Sequence, residues 1–512
     1  MTRTQNVKKN LIFNVVKYVA SLVLQFILRT VLIYYMGAEY LGLNGLFTNI
    51  FTFLNLTELG IGSAIVFSMY KPIADGDIEK VKSLQNLYKK IYTVIAIIVG
   101  IIGLGLTPFI TFFMGGGTTI DINIYVLYIM FLVSMLVGYF SAHKRSLLFA
   151  YQRSDVENKV GTICTFLRTA IQAVVLIIFK NYYAYLSITI VFTLAENIAI
   201  QVVANKLFPE INGPAPQIDN ETKKEITKNV TALSMHKIGG AVVFSTDNIL
   251  VSTFFGLAIL GVYSNYALIT TTLGTFFTLL VTALQASVGN LIASSDTEYV
   301  FERYKKIRFV FSYLTAMTTI CLFVLVQPFI QKWTGDSSYL LELPVVLTIC
   351  LSYYIGKIRI PVGLFKDAAG LFWQDRWKPI VEAVVNLGVS IGLAFLLGIN
   401  GIFIGTIVSS LVAPIWVEPC VLYKHYFKKS PKKYFLRMIL DFAIMLACGA
   451  VCYYTCALIP NGSIWLLILK FGICFALSNA LLILAYLPTG DLIPSLQYFK
   501  NAILSHSPKK EK

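Results

Sequence analysis

The sequence is poor in charge and has few of the residues that catalysis usually needs. Only 13% of its 512 residues are Asp, Glu, Lys or Arg, against roughly 25% in a typical soluble domain, and only 4 residues are histidine. No segment matches the patterns G-x-x-x-x-G-K-[ST], H-E-x-x-H or G-x-S-x-G. These absences exclude a soluble enzyme, a P-loop ATPase and the hydrolases that carry such motifs, and nothing in the sequence points to catalysis.

The sequence is instead rich in long apolar segments, and 57% of its residues are hydrophobic. A run of about 20 apolar residues is long enough to cross the hydrocarbon core of a bilayer as a helix. We therefore predict an all-α polytopic membrane protein, in which the segments at 40–70 and 258–290 exceed one bilayer thickness and tilt or bend. The predicted spans are fourteen, at approximately 11–35, 40–70, 90–114, 122–142, 158–179, 185–206, 230–255, 258–290, 308–331, 341–365, 379–398, 401–423, 438–459 and 464–487.

The charges are unequal, with 42 basic and 26 acidic residues and a net charge of +16. If the N-terminus lies inside, 33 basic residues fall in inside segments when the four at the inner ends of spans (Lys90, Lys159, Lys206 and Arg308) are counted with them, and only Lys180 and Lys332 fall in outside loops. Because basic loops stay in the cytoplasm, this distribution predicts that both ends are cytoplasmic. The basic excess then reflects topology rather than nucleic-acid binding. The other seven basic residues lie within predicted spans: Lys17, Arg29, Arg168, Lys237, Lys357, Arg359 and Lys470.

The eight cysteines contain no C-x-x-C pair. Cys448, Cys452 and Cys456 follow one another at four-residue spacing and therefore share one face of a helix. We interpret them as small packing residues rather than as a metal or redox site.

An internal repeat is visible when the sequence is shifted by 219 residues. Lys9–Val81 then aligns without gaps with Lys228–Val300, with 16 identities in 73 positions. Six predicted spans separate the copies, so both enter the membrane from the same side, which is typical of parallel repeats in two-halved transporters. We predict pseudo-symmetric six-helix halves at 1–206 and 230–423, a cytoplasmic linker at 207–229, and two additional helices with a tail at 424–512. A cavity between the halves would open alternately to each side.

Polar residues form narrow stripes within three of the predicted spans. Lipid cannot satisfy such groups, so each stripe is expected to face protein or a water-filled cavity. The stripes consist of Asn10, Asn14, Lys17, Ser21, Gln25 and Arg29 in span 1, of Asn44, Thr48, Thr52, Asn55, Glu58 and Gly62 in span 2, and of Asn229, His236, Gly240 and Asp247 in span 7.

Each charge within a span has an alternative structural explanation. Lys17 lies close enough to a span end to extend to the interface, and for Lys357 and Arg359 this explanation and cavity lining are equally open. A charge near mid-span requires a partner or water, and a structural ion pair of Arg168 with Glu196 would meet that need. A packing or hydrogen-bonding role is the alternative for a protonation switch at His236.

Five segments of the sequence contain recognisable motifs: 58–64 (ELGIGSA), 70–72 (YKP), 35–42 (YMGAEYLG), 247–250 (DNIL) and 261–266 (GVYSNY). These motifs resemble those of polysaccharide-transporter flippases, a family of the multidrug/oligosaccharidyl-lipid/polysaccharide exporter superfamily. The resemblance implies a flippase for undecaprenyl-diphosphate-linked oligosaccharide repeat units in the bacterial cytoplasmic membrane, serving capsule or O-antigen export. It also implies transport driven by a proton, sodium or substrate gradient, no cofactor, and a polysaccharide polymerase and glycosyltransferases as partners.

A diphosphate head group requires cationic partners inside the cavity. We therefore predict three sets of site residues and no metal site. The cationic set comprises Lys17, Arg29, Arg168, Lys357 and Arg359. The polar lining comprises Asn14, Ser21, Gln25, Asn44, Thr48, Asn55 and His236. The candidate ion-coupling carboxylates are Glu58, Glu196 and Asp247.

Three alternative functions stay open at this point. A flippase for the lipid-linked peptidoglycan precursor would also have fourteen spans. A multidrug exporter of the same superfamily would normally have twelve spans and a more acidic cavity. A membrane glycosyltransferase or polymerase is disfavoured, because every predicted outer loop is shorter than about a dozen residues.

Overall fold

The computed structural model of the chain describes residues 20–55, 61–115, 117–213, 216, 218, 220–495 and 497. Within that part, the side chains of residues 61, 63, 64, 220–244 and 286 are not described. Three predicted site residues, Asn14, Lys17 and Glu58, lie outside the described residues. The side chain of His236 lies outside the described part as well.

The described residues form helices and no strands. Most helices lie close to a predicted span, and α10 is broken at Gly256. The helices in chain order are α1 Ala20–Tyr35, α2 Ala38–Leu54, α3 Ile61–Asp75, α4 Ile78–Leu106, α5 Ile110–Phe113, α6 Ile124–Tyr139, α7 Ala142–Ala150, α8 Ser154–Phe179, α9 Tyr182–Leu207, α10 Asn220–Ser294, α11 Thr297–Thr334, α12 Leu343–Ile358, α13 Ile360–Ala368, α14 Lys378–Leu397, α15 Ile399–Val412, α16 Pro414–Val421, α17 Lys432–Ala457 and α18 Ile464–Tyr486.

Eleven helical segments among the described residues are long and apolar enough to cross a membrane, and α1 is a shorter apolar helix. The predicted all-α membrane architecture is confirmed at this level, while the count of fourteen spans and the orientation stay predictions. Two helices begin well before the spans predicted at 90–114 and 308–331, because α4 starts at Ile78 and α11 at Thr297. Their first turns are amphipathic and contain Lys and Glu, so a search for purely apolar segments does not detect them.

A backbone break occurs at the same position in both copies of the repeat. Gly37 separates α1 from α2 with φ +88°, and Gly256 interrupts α10 with φ +83°. Both values lie in the region that glycine adopts without the steric cost that a Cβ atom imposes. The two glycines are 219 residues apart, which is the spacing of the sequence repeat.

The helices that follow these breaks touch each other through a second pair of glycines. A Cβ atom on Gly42 would overlap the carbonyl oxygen of Leu257, and one on Gly261 would overlap that of Ala38. Ala38 and Leu257 are equivalent in the repeat, so the contact is reciprocal. The two backbones approach this closely because neither glycine has a side chain.

The copies end on equivalent helix caps. The carboxylate of Asp77 accepts a hydrogen bond of 2.9 Å from the backbone N–H of Lys80 at the start of α4. Asp296 accepts one of 3.1 Å from that of Tyr299 at the start of α11. Such side-chain caps satisfy donors that the first helical turn leaves unpaired.

The chain divides into two compact units, Met1–Gly261 and Val262–Lys512. In the first unit α8 packs against α9, and α6 packs against α4 and α9. An apolar cluster at the predicted cytoplasmic side includes Val81, Leu147 and Ile200. The division falls after Gly261 rather than in the predicted linker at 207–229, and the predicted halves stay a prediction.

In the second unit α11 packs against α12, α17 and α18, while α14 and α15 form a tight hairpin. The core between α11, α17 and α18 contains Cys448, Cys452 and Cys456 together with Ile320 and Leu482. The three cysteines therefore pack among apolar side chains.

Candidate functional site

A polar pocket of about 240 Å³ lies among the helices of the first unit. It is formed by α1, α2, α6, α8 and α9, and seven of its eleven lining residues carry a polar group on the side chain. The polar residues are Asn44, Thr48, Ser134, Arg168, Gln172, Tyr185 and Thr189, and the apolar ones are Leu28, Met130, Phe131 and Leu186.

Arg168 is the charged residue of this pocket and projects from the middle of α8. One turn further on, Gln172 donates hydrogen bonds to the Thr189 Oγ1 atom at 2.7 Å and to the Tyr185 carbonyl oxygen at 3.1 Å, which joins α8 to α9. Among the described residues, no carboxylate oxygen lies within 4.0 Å of the Arg168 guanidinium. Its charge is therefore surrounded by neutral polar groups.

Arg29 on α1 lies near the same pocket. Both Arg29 and Arg168 are close enough to Tyr185 to interact electrostatically with its hydroxyl group, and both are half-buried. The structure thus brings two of the predicted cationic residues to one tyrosine. Two positive charges repel each other in an apolar environment, and an anion bound between them would offset that repulsion.

The predicted polar lining divides into two groups. Asn44 and Thr48 of α2 line the pocket, whereas Asn55 at the end of α2 accepts a hydrogen bond from the Tyr139 hydroxyl group. Ser21 is half-buried and Gln25 is exposed, and neither lines this pocket.

Glu196 belongs to an ion-pair network with Arg145. An Arg145 Nη atom lies 2.9 Å from Glu196 and the other lies 3.2 Å from Glu157, and the same guanidinium donates to Asn197 at 3.0 Å. The ion-pair partner of Glu196 is therefore Arg145, and the pair with Arg168 considered from the sequence is not formed among the described residues. The sequence placed Arg145 in a loop, but it lies on helix α7, which directs its side chain toward α9.

The third candidate coupling carboxylate, Asp247, lies on α10 in the first unit. Its side chain is buried, with 9% of its surface exposed. A carboxylate at this depth requires polar or charged neighbours.

Lys357 in the second unit is a further residue of the predicted cationic set. Its Nζ atom lies 5.5 Å from the centroid of the Tyr353 ring, within the range of a cation–π interaction. It also lies beside Gly274, where a Cβ atom would be 2.9 Å from Nζ. Among the described residues, no carboxylate lies within ion-pair distance of Lys357.

Arg359 has different neighbours. Its guanidinium lies 3.8 Å from Glu382 and 3.7 Å from Glu418, and Lys378 lies 2.5 Å from Glu418. Arg359 therefore belongs to a charged cluster in which carboxylates balance its charge. We define the α13–α16 charge cluster as Arg359, Lys366, Lys378, Asp367, Asp375, Glu382 and Glu418.

Sequence reasoning did not identify this cluster. The available signal was the charge pattern around the loop between α13 and α14, where Lys366, Asp367, Asp375 and Lys378 lie close together in sequence. Opposite charges at the two ends of a short loop can pair across it, and Lys366 does pair with Asp375.

The sequence matches no protein-family model, and it matches no curated protein. Its structure is similar to that of a lipid II flippase, MurJ, in an inward closed conformation, with a TM-score of 0.67 and 14% identity over 93% of this chain and 99% of that chain. It is also similar to an inward-facing multidrug resistance MATE family transporter of the MOP superfamily, with a TM-score of 0.60 and 15% identity over 78% of this chain and 94% of that chain.

A third similar structure is a mutant of the Vibrio cholerae MATE transporter VcmN, with a TM-score of 0.56 and 14% identity over 83% of this chain and 98% of that chain. Identities of 14–15% establish a shared fold rather than a shared substrate. The chain thus shares the helical fold of these flippase and exporter structures.

Proposed function

We propose that this protein is a flippase that moves undecaprenyl-diphosphate-linked oligosaccharide repeat units across the bacterial cytoplasmic membrane by alternating access. Its fold is that of membrane transporters, and its motifs resemble those of polysaccharide-transporter flippases. The substrate would be made by glycosyltransferases on the inner side and consumed by a polymerase on the outer side.

The polar pocket around Arg168 is the observation that carries this proposal. It places a cation, which has no carboxylate partner in the described part of the chain, among amide, hydroxyl and phenol groups of the first unit. A diphosphate fits the guanidinium of Arg168, with Arg29 nearby, because charge-assisted hydrogen bonds to phosphate are strong. Asn44 and Thr48 can donate and accept hydrogen bonds with sugar hydroxyl groups.

The ion coupling of transport is part of the proposal. Glu196 is paired with Arg145 at 2.9 Å, so this carboxylate has a structural partner within the first unit. Asp247 is buried on α10 and is the candidate that we assign to proton or sodium coupling. An Asp247→Asn variant should then transport equally well with and without an ion gradient.

A second candidate substrate is the lipid-linked peptidoglycan precursor. It is favoured by the structural similarity to a lipid II flippase, which extends over 93% of this chain. Both substrates carry a diphosphate and a sugar, so the pocket around Arg168 suits either of them.

The decisive experiment measures flipping of fluorescent substrates by purified protein in proteoliposomes. We expect the wild type to flip the undecaprenyl-diphosphate-linked oligosaccharide, and R168Q to be about tenfold to a hundredfold slower, since a charge-assisted hydrogen bond to phosphate is lost. R153Q is the matched control, because Arg153 is exposed and pairs with Asp155 at 3.0 Å. R168K should retain part of the rate.

Other outcomes would contradict the proposal. Normal flipping by folded R168Q would exclude Arg168 as a phosphate-binding residue. Faster flipping of the peptidoglycan precursor would support the second candidate. Export of a cationic dye without flipping of either lipid would identify a multidrug exporter.

A further inference from the structure

A second pocket, far larger than the one around Arg168, lies in the second unit and has a volume of about 630 Å³. Six of its lining side chains are basic and only one is acidic. We call it the basic pocket, and it is lined by Phe301, Lys305, Arg308, Tyr423, Lys429, Ser430, Lys432, Lys433, Tyr434, Arg437 and Asp491.

The basic pocket is built from segments at the same predicted face of the membrane. It combines the first turns of α11, the π-helical segment Leu422–Phe427 with the residues after it, the start of α17, and Asp491, which follows α18. The distribution of Lys and Arg predicts that each of these segments is cytoplasmic. The pocket is thus expected at the inner surface of the bilayer.

Four of the six basic side chains already have acidic partners. Arg308 lies 3.0 Å from Asp441, and Arg437 lies 2.8 Å from Asp491. Lys429 lies 2.5 Å from Glu298, which is not part of the lining. Lys305 likewise lies 2.6 Å from Glu302. These pairs hold the pocket walls together and leave their own charges largely balanced.

Lys432 and Lys433 are the exceptions. Both are exposed, and in the described part of the chain neither has a carboxylate within 4.0 Å. They are adjacent at the first turn of α17. The pocket consequently has two positive charges in excess, at its solvent-accessible side.

Three of the other lining side chains, Phe301, Tyr423 and Tyr434, are aromatic. Lys429 Nζ lies 4.3 Å and Lys305 Nζ lies 5.3 Å from the centroid of the Phe301 ring. Tyr423 and Tyr434 are buried, and their ring centroids are 5.8 Å apart. A ligand with an anionic end and an apolar end fits such a surface better than a fully water-soluble anion does.

We propose that the basic pocket binds the phosphate head group of an anionic phospholipid of the cytoplasmic leaflet, with Lys432 and Lys433 supplying the charge that attracts it. Basic pockets between transmembrane helices on the cytoplasmic side are suited to such head groups. This inference does not depend on the transported substrate, because the basic pocket and the pocket around Arg168 belong to different units.

The test uses the purified full-length protein in non-ionic detergent and short-chain phosphatidylglycerol as the probe, with binding measured by calorimetry. The K432Q/K433Q variant should bind phosphatidylglycerol about 30-fold more weakly than the wild type, the equivalent of about 1 kcal/mol for each lysine. The matched control is K89Q/K90Q, which removes two adjacent exposed lysines from α4 and should leave the affinity unchanged.

Four outcomes would overturn the proposal. Equal affinity of K432Q/K433Q and wild type would exclude these lysines, and an equal loss in K89Q/K90Q would indicate attraction by overall charge alone. Phosphatidylcholine binding as tightly as phosphatidylglycerol would exclude recognition of the anionic head group. Inorganic phosphate binding as tightly as the lipid would identify a soluble anion as the ligand. A thermal unfolding curve for each variant verifies that it is folded.

Discussion

The two copies of the repeat agree in their backbone features and differ in the side chains that follow them. Gly37 and Gly256 break the chain with nearly equal φ angles, and Gly42 and Gly261 contact each other reciprocally. Along the helix after each corner, several equivalent side chains differ. The requirements of folding have thus been kept in both copies, whereas the chemistry of the surfaces differs.

The divergence is clearest along the helix after each corner. Asn44 and Thr48, which line the pocket around Arg168, are replaced in the second copy by Tyr263 and Ala267. The second copy therefore has a phenol and a methyl group at the positions where the first copy places an amide and a hydroxyl group beside Arg168.

At a third pair of equivalent positions, a charged side chain from another helix lies beside the second copy. Asn55 corresponds to Gly274, and the space beside Gly274 is taken by Lys357 of α12. The polar group at this position thus comes from another helix in the second copy. A comparison of the two aligned sequences alone would not reveal that Lys357 lies at this position.

The largest effect on stability is expected from substitutions that disrupt the reciprocal contact between Gly42 and Gly261. In G42A the new methyl group would overlap the Leu257 carbonyl oxygen, and in G261A it would overlap that of Ala38. Because neither backbone can rotate away, each substitution should lower the free energy of unfolding by about 3 kcal/mol. The double variant should lose much less than twice that amount, since both changes act on one contact. Unfolding by SDS in bicelles measures these differences.

G45A is the matched control for this experiment. Gly45 lies one turn further along α2, and a Cβ atom there would be 3.8 Å from Leu260, which is an ordinary contact. Alanine is also favoured over glycine within a helix. G45A should be as stable as the wild type or more so, and a loss equal to that of G42A would show that the reciprocal contact is not responsible.

The two helix caps should respond equally. D77A and D296A each remove one side-chain hydrogen bond to the first turn of a helix, at an expected cost of about 1 kcal/mol. D77N and D296N keep a capping oxygen and should restore most of the stability. Unequal losses in thermal unfolding would show that the copies differ in their caps as well as in their surfaces.

A smaller effect is expected at Gly274. G274A would bring a methyl group to 2.9 Å from Lys357 Nζ, and this flexible side-chain end can move aside, so stability should change little. The displaced charge should slow flipping about twofold to fivefold, as expected for a shift of less than about 1 kcal/mol. If G274A slows flipping equally in a K357Q background, the displacement of Lys357 is not the cause.

The smallest effect concerns Glu39, whose counterpart in the second copy is Ala258. Burial alone would raise the pKa of the Glu39 carboxyl, but hydrogen bonds from Thr118 and Thr119 outweigh it and hold the pKa below 4.5. The lowered pKa stabilises the folded state above the unfolded-state value, and this contribution is lost as the pH falls through the folded-state pKa.

The comparison of the wild type with E39Q measures this contribution. Because Glu39 is only partly buried, the advantage of the wild type should be about 0.5 kcal/mol at pH 7. It should disappear in acid, below the usual carboxyl pKa of 4.5. A difference in thermal stability that does not depend on pH would contradict the assignment.

The sequence predicted the fold well where apolar segments cross the bilayer, because hydrophobicity alone defines those helices. It predicted the helix starts at Ile78 and Thr297 poorly, since these turns lie where polar and apolar residues alternate. Among the candidate site residues, Arg29 and Arg168 attracted attention because a charge within a span requires a partner or water. The pairing of Glu196 with Arg145 and the carboxylates around Arg359 were not, because these contacts depend on how short helices orient side chains in three dimensions.

The reciprocal glycine contact has a consequence for the origin of the molecule. When residue i touches j and the equivalent of j touches the equivalent of i, the contact has the form of an interface between two identical chains. A protein with a single ancestral copy of the repeat would have formed a dimer, in which the glycine equivalent to Gly42 contacted the second molecule. Duplication and fusion of its gene would keep that homodimer contact within one chain and free the two copies to acquire the unlike surfaces now seen beside Asn44 and Tyr263.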